Sequence, residues 1–207
     1  MLYRTHKMGG TLSMLLVFQY MQSKGMMIDG LNPFVQLAIM YPASSWGSVA
    51  PDLDHGWSNV KEKTAVNYAV HKALHLTKPR HRSWQTHSLL VTGGLCIVVS
   101  LLVVLGTMLG WGLNKNDWIL ISLIVHGGTI GIVSHLILDA FSVGGVHIIP
   151  GKIFRFVPRS NFFATGGAWE TFVFRILSVA VLFCVINIIC SIYGTTFLDL
   201  VLNLLHN

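Results

Sequence analysis

Three apolar runs decide what this chain can become. Ser88 to Leu113 and Trp169 to Tyr193 are each apolar for about 25 residues, with Glu170 and Arg175 confined to the first turns of the second. Trp118 to Phe141 is comparable in length, although it carries His126, His135 and Asp139. A helix needs about 20 apolar residues to cross the hydrocarbon core, and in lipid it must satisfy every backbone N–H and C=O internally. Each run is therefore expected to be a transmembrane helix. Two shorter runs, Leu12 to Met21 and Pro33 to Val49, are expected to cross as well, with re-entrant helices as the other arrangement. The expected fold is all-α: a polytopic membrane helix bundle of about five spans, residues 1–207 forming a single domain. A cytoplasmic connecting helix is expected within Lys61 to Leu76, stopped by Pro79. A short interfacial helix is expected over Thr196 to Leu205, where Phe197, Leu198, Val201, Leu202 and Leu205 recur at helical spacing.

Charge supports the membrane reading. Only 11% of residues are charged, against roughly 25% in a soluble domain. The net charge of +6 does not point to nucleic acid, because topology accounts for the basic residues. With five spans, the N-terminus and the 56–87 and 143–169 connections share one side. That side holds Arg4, Lys7, Lys61, Lys63, Lys72, Lys78, Arg80, Arg82, Lys152, Arg155 and Arg159, with Arg175 just inside the last span. Only Lys24 and Lys115 fall on the other side, so the basic side is expected to be cytoplasmic. Cys96, Cys184 and Cys190 lie in apolar runs with no zinc spacing and are expected to pack as small apolar residues. The stretch after Leu12 to Met21 lacks a small-residue cleavage site, so no cleaved leader is expected.

Ionisable residues are expensive beside spans, yet they gather in short islands. These are Thr5-His6, Pro51-Asp52-Leu53-Asp54-His55, His81-Arg82-Ser83-Trp84-Gln85-Thr86-His87-Ser88, Ser134-His135-Leu136-Ile137-Leu138-Asp139 and Gly166-Gly167-Ala168-Trp169-Glu170. The parity that sorts the basic residues also places every island at the cytoplasmic face. Imidazoles and carboxylates are the usual ligands of hydrolytic metal ions.

Each island alone has a plainer use. His135 and Asp139, at i and i+4, project from one helix face, and can share an ion or form a hydrogen bond between helices. Asp52 and Asp54 can both point inward from a turn, or simply stop a helix. His81 and His87 need a bent loop to meet, and otherwise are solvated. Arg82 suits a phosphate held bidentately, or a topology-setting cation. Taken together, His6, Asp52, Asp54, His55, His81, His87, His135, Asp139 and Glu170 form the candidate ligand set. Nine groups suit two or three divalent ions, zinc being the expected metal, with bridging carboxylates and some supporting members. Asp54 or Glu170 is the candidate general base, and Arg82 the candidate phosphate anchor. His126 is expected to bond another helix, His71 and His75 to form a solvated face, and His206 to lie in the tail. His147 is open as a spare ligand.

The islands in order resemble the membrane-bound metal-dependent hydrolases of the YdjM/DUF457 type. The most specific strings are His81-Arg82-Ser83-Trp84-Gln85-Thr86-His87-Ser88 and Ser134-His135-Leu136-Ile137-Leu138-Asp139-Ala140, and the likeness runs from residue 5 to about 175. That family looks distantly similar to the zinc phospholipase C and P1 nuclease group of all-helical enzymes, which hold three metal ions on His, Asp and Glu. The resemblance implies phosphoester hydrolysis. A site at headgroup depth implies a membrane lipid as substrate, either a phospholipid or an isoprenoid phosphate. The other readings are amide or ester hydrolysis of a lipid, a metal or proton transporter, and a metal-stapled membrane adaptor without turnover.

Overall fold

The structure, a computed structural model, describes residues 2–54, 61, 63–76, 84–149, 151–160, 162 and 164–192. His55, His81, Arg82 and the expected C-terminal helix lie outside these residues. Six α-helices are described: α1 (Tyr3–Ser23), α2 (Pro33–Gly47), α3 (Ala65–His75), α4 (Gly94–Leu109), α5 (Lys115–Ala140) and α6 (Ala168–Ile192). Local chemistry sets several of their starts. Asn32 caps α2 by accepting from the Phe34 N–H at 2.8 Å, with Pro33 opening the helix. Thr64 caps α3 through the Asn67 N–H, and Asn114 caps α5 through the Asp117 N–H. Ser88 caps a π-helical turn, Leu89–Gly93, that runs into α4.

Three of these segments, Leu89–Leu109, Lys115–Ala140 and Ala168–Ile192, are long and apolar enough to cross a membrane. The most apolar window of the last is only 11% buried within the protein, so its flank is free to meet lipid. α2, at 15 residues, is shorter than a spanning helix needs. α1 has 21 residues but carries Arg4, His6, Lys7, Gln19 and Gln22 among them.

α5 is the central helix, packed against α1, α2 and α4, while α6 packs on α1. Met14, Leu15 and Phe18 of α1 meet Met40, Leu123, Cys184 and Ile188 in the main buried cluster. Small residues bring α2 and α5 together. A Cβ at Gly131 would overlap the Ser44 carbonyl oxygen and stand 2.6 Å from the Ser48 nitrogen, and one at Gly47 would overlap the Gly128 carbonyl. Backbones this close are the usual means of helix association in lipid, where the hydrophobic effect between helices is weak.

The 143–169 connection departs from the all-helical expectation. It carries an antiparallel hairpin, β1 (Val146–Ile149) and β2 (Lys152–Phe154), turned at Gly151 with φ +83°. Strands of four and three residues are too short to register as an alternating pattern.

Candidate metal centre

Four helix termini and one turn converge at one end of the bundle. α1 contributes His6 from its first turn, where the residue is fully buried. Glycines one turn later allow the approach, since a Cβ at Gly9 would overlap the Leu138 side chain. The imidazole stacks on that of His135, with centroids 3.8 Å apart and planes 16° apart. After α2 the chain enters a 3-10 turn, Ala50–Asp54, that directs Asp54 into the interior and leaves Asp52 about one-quarter exposed. His87 stands just before the π-helical turn. β1 braces it, because the His147 N–H donates to the His87 carbonyl at 2.9 Å and the Ser88 hydroxyl donates to the Ile148 carbonyl at 3.0 Å. His135 and Asp139 come from the last two turns of α5, both fully buried.

The ring nitrogens are oriented by their far sides. His135 Nδ1 lies 2.8 Å from the Ser48 carbonyl oxygen, which can only accept, so Nδ1 carries the proton and Nε2 keeps its lone pair. The Thr86 hydroxyl donates to Asp54 Oδ2 at 2.6 Å and is left to accept from His87 Nδ1 at 2.9 Å. When the ring is neutral, His87 Nε2 therefore also faces inward with its lone pair free. A histidine whose second nitrogen donates to a carbonyl or to a carboxylate relay is the usual arrangement behind a metal ligand.

Both Nε2 atoms meet two carboxylates. They are 3.3 Å apart. From His87 Nε2, Asp52 Oδ1 lies at 3.5 Å and Asp139 Oδ2 at 3.6 Å. From His135 Nε2 the corresponding distances are 3.8 and 3.5 Å. Ligand bonds of about 2.0–2.2 Å in a tetrahedron put neighbouring donors roughly 3.3–3.6 Å apart, so these five His–His and His–Asp separations are close to those between donors on one metal ion. The second carboxylate oxygen of Asp139 lies 3.4 Å from His6 Nε2, making Asp139 a link between these donors and a further imidazole. His6 itself is a test of fit. Among the described residues neither of its buried ring nitrogens has a hydrogen-bond partner, an expensive state for an imidazole unless a cation supplies one. The donor set thus suits a divalent metal: His87, His135 and Asp139 form one group with ligand atoms within 4.8 Å of one another, and His6, Asp52 and His135 form a second that shares His135.

The electrostatics favour positive charge here. Burial opposes ionisation of Asp52, but His135, His87 and His6 hold its carboxyl well below the usual range. Burial also opposes a charged His87. Hydrogen bonds to Asp52 and Asp54, with the nearby Asp139, outweigh it and raise the imidazole from 6.5 to about 9. In the metal-free protein a protonated His87 therefore contributes stability fully below pH 6.5, and that contribution is lost as pH rises through about 9. A divalent cation competes with the same proton, so its affinity is expected to rise over that interval by up to about tenfold per pH unit. Metal titrations and melting curves at a series of pH values read both slopes. A pH-independent affinity would contradict the assignment of His87.

The remaining candidates are placed differently. Glu170 is buried but serves as a clasp: it accepts from the Leu2 N–H, from the Thr5 hydroxyl at 2.8 Å and from the Gly166 N–H at 2.6 Å, tying α1 to the start of α6. His147 is set beside His87 through its backbone and falls outside both donor groups. Among the described residues His126 bonds within its own helix, to the Ser122 carbonyl at 2.6 Å, and not to another helix. His71 is not on a solvated face: its Nδ1 donates to the Leu53 carbonyl at 2.8 Å, between Asp52 and Asp54. Ser48, Thr86 and His71 are the supporting residues that sequence reasoning missed, and only the short polar string around His87 hinted at one of them. Thr86→Val and His71→Ala are each expected to weaken metal binding by about 10–100-fold, the usual effect of removing a ligand's support. Isothermal titration of the apo-protein measures this, and unchanged affinity in both would remove them from the site.

The chain belongs to the family described as YdjM inner membrane protein, whose model matches residues 1–198. Neither a curated protein nor a solved structure matches it.

Proposed function

We propose that this YdjM-family chain is a membrane-embedded, metal-dependent hydrolase that cleaves a phosphoester of a lipid at the cytoplasmic interface, with two or three zinc ions as cofactor. The observation that carries the reading is the cluster of His87, His135, Asp52 and Asp139, with His–His and His–Asp separations of 3.3 to 3.8 Å and His6 on the far oxygen of Asp139. Metal ions held by these residues would supply activation of water at neutral pH and neutralise charge on phosphoryl oxygens. The protein's own part is orientation. The Ser48 carbonyl and the Thr86–Asp54 relay hold both imidazoles with Nε2 inward. Asp52, the partly exposed member, marks the side from which a substrate reaches the site. We assign Asp54 and Glu170 to positioning instead of proton transfer, since Thr86 engages the one and Leu2, Thr5 and Gly166 the other. Arg82 is assigned to phosphate on its place in the sequence between His81 and His87.

Five crossings with the site at the cytoplasmic face satisfy both the basic-residue bias and the gathering of the islands. Cysteine labelling is expected to place the 56–87 and 143–169 connections on the cytoplasmic side and position 115 on the other. Labelling of the two connections from opposite sides would end this topology. Depth argues against a transporter. Among the described residues the candidate ligands gather at one end of the bundle, and the deeper His126 is occupied by its own helix. The function is tested by incubating metal-replete protein with a panel of phospholipids, isoprenoid phosphates and nitrophenyl phosphate while following phosphate or headgroup release. Turnover that is abolished in His87→Ala is the expected result. Intact metal with no turnover on any substrate would favour the adaptor, and metal flux into proteoliposomes the transporter.

A further inference from the structure

Directly below the metal centre, α2, α4 and α5 enclose a cavity of about 480 Å³. Its walls include Ala43 and Trp46 of α2, Leu95 and Val99 of α4, and Gly128 and Ile132 of α5, with no charged group among its lining residues. Ile132 is one helical turn from His135, and Trp46 is two residues from Ser48, whose carbonyl orients that histidine. From Ile132 the lining continues down α5 to Ile124, which at 1.5 Å per residue is about 12 Å. The groove therefore begins at the site and runs into the bilayer. α4 and α5, which form two of its walls, are both apolar enough to span, and Leu95 at its edge is 63% exposed. Whatever enters it sideways comes from hydrocarbon.

We infer that this groove seats one hydrocarbon chain of the lipid whose phosphate binds at the metal centre, so that the chain sets where the phosphoester stands. This rests on the phosphoester reading of the same site. The apolar lining excludes a polar solute. Trp46 lines the groove two residues from Ser48, and its indole N–H donates to Asn67 Oδ1 of α3 at 2.7 Å, which holds the ring beside the site. A chain gains little by leaving one apolar medium for another, so selectivity must come from the phosphate, and the groove acts by alignment.

The test uses metal-replete protein in phosphatidylcholine vesicles containing a trace of a phosphonate analogue of phosphatidic acid with a mid-chain diazirine. Its carbon–phosphorus bond resists cleavage, and a diacylglycerol with the same diazirine serves as control. After illumination the phosphonate is expected to label peptides containing Leu95 to Val99 and Val125 to Ile132 about tenfold more than the outward face of α6 at Val179 and Leu182, the advantage of a charge-assisted contact. The diacylglycerol should show no preference. Val99→Trp fills the groove and should abolish the preference, whereas Leu182→Trp should not. If Val99→Trp fails to fold, Leu95→Trp at the rim replaces it. Equal labelling of groove and α6, or a preference that survives a folded groove-filling variant, would overturn the proposal. The two readings fail separately. Selective groove labelling without turnover of any phosphoester would sink the hydrolase alone, and turnover of nitrophenyl phosphate by the unaltered protein without groove labelling would sink the groove alone.

Discussion

Asp139→Asn protein is expected to purify with a small fraction of the wild-type metal content and with apparent affinity lowered by at least about 100-fold, more than loss of a supporting residue gives. The substitution conserves shape, so packing at the end of α5 is retained. It removes the charge that serves both imidazoles of the cluster through one oxygen and His6 through the other, at 3.6, 3.5 and 3.4 Å. His126→Ala, on the same helix but bonded to Ser122 one turn away, is the matched control and should keep its metal. Elemental analysis of both purified proteins decides the matter. Equal content would mean that Asp139 binds no ion.

The second large effect comes from a residue with no side chain. Gly131→Val is expected to reduce metal content along with Asp139→Asn, although position 131 carries no ligand. The added atoms would overlap the Ser44 carbonyl oxygen and crowd the Ser48 nitrogen, so α2 must move away from α5. Overpacking of this kind costs about 1–3 kcal/mol. The displacement also withdraws the Ser48 carbonyl from His135 and shifts the Asp52 turn that follows it. Gly94→Ala, where nothing stands within 4 Å of the added Cβ, should be neutral or slightly stabilising. Thermal melts and metal content of the two variants measure this. A Gly131→Val protein with full metal and an unchanged melting temperature would show that close packing of α2 on α5 does not build the site.

The long helices were legible because their signals are local. The runs at 88, 118 and 169 appear as helical segments within a few residues of where apolarity begins and ends, and Asn114 and Ser88 cap their own chains. The convergence of His6, Asp52, His87, His135 and Asp139 was legible for another reason. A bundle whose helices alternate in direction returns every second connection to one end. What escaped notice depends on partners far away in sequence. Ser48 and His135 are 87 residues apart, and no local pattern marks a serine whose carbonyl orients a histidine. His71 reads as one more polar residue among lysines until α3 folds over the acidic turn. Glu170 resembles a ligand by type and position, yet three donors, on Leu2, Thr5 and Gly166, engage it. The β-hairpin behind His87 was too short for periodicity to reveal.

The central claim is that the end of this bundle holds metal on His87, His135, Asp52 and Asp139. Anomalous diffraction from crystals of protein purified without chelator, collected on both sides of the zinc absorption edge, addresses it most directly. The expected result is an anomalous peak among these four side chains, about 2.0–2.2 Å from each donor, with further density between Asp139 and His6. A map without a peak there, from protein supplied with zinc and with all four side chains ordered, would contradict it.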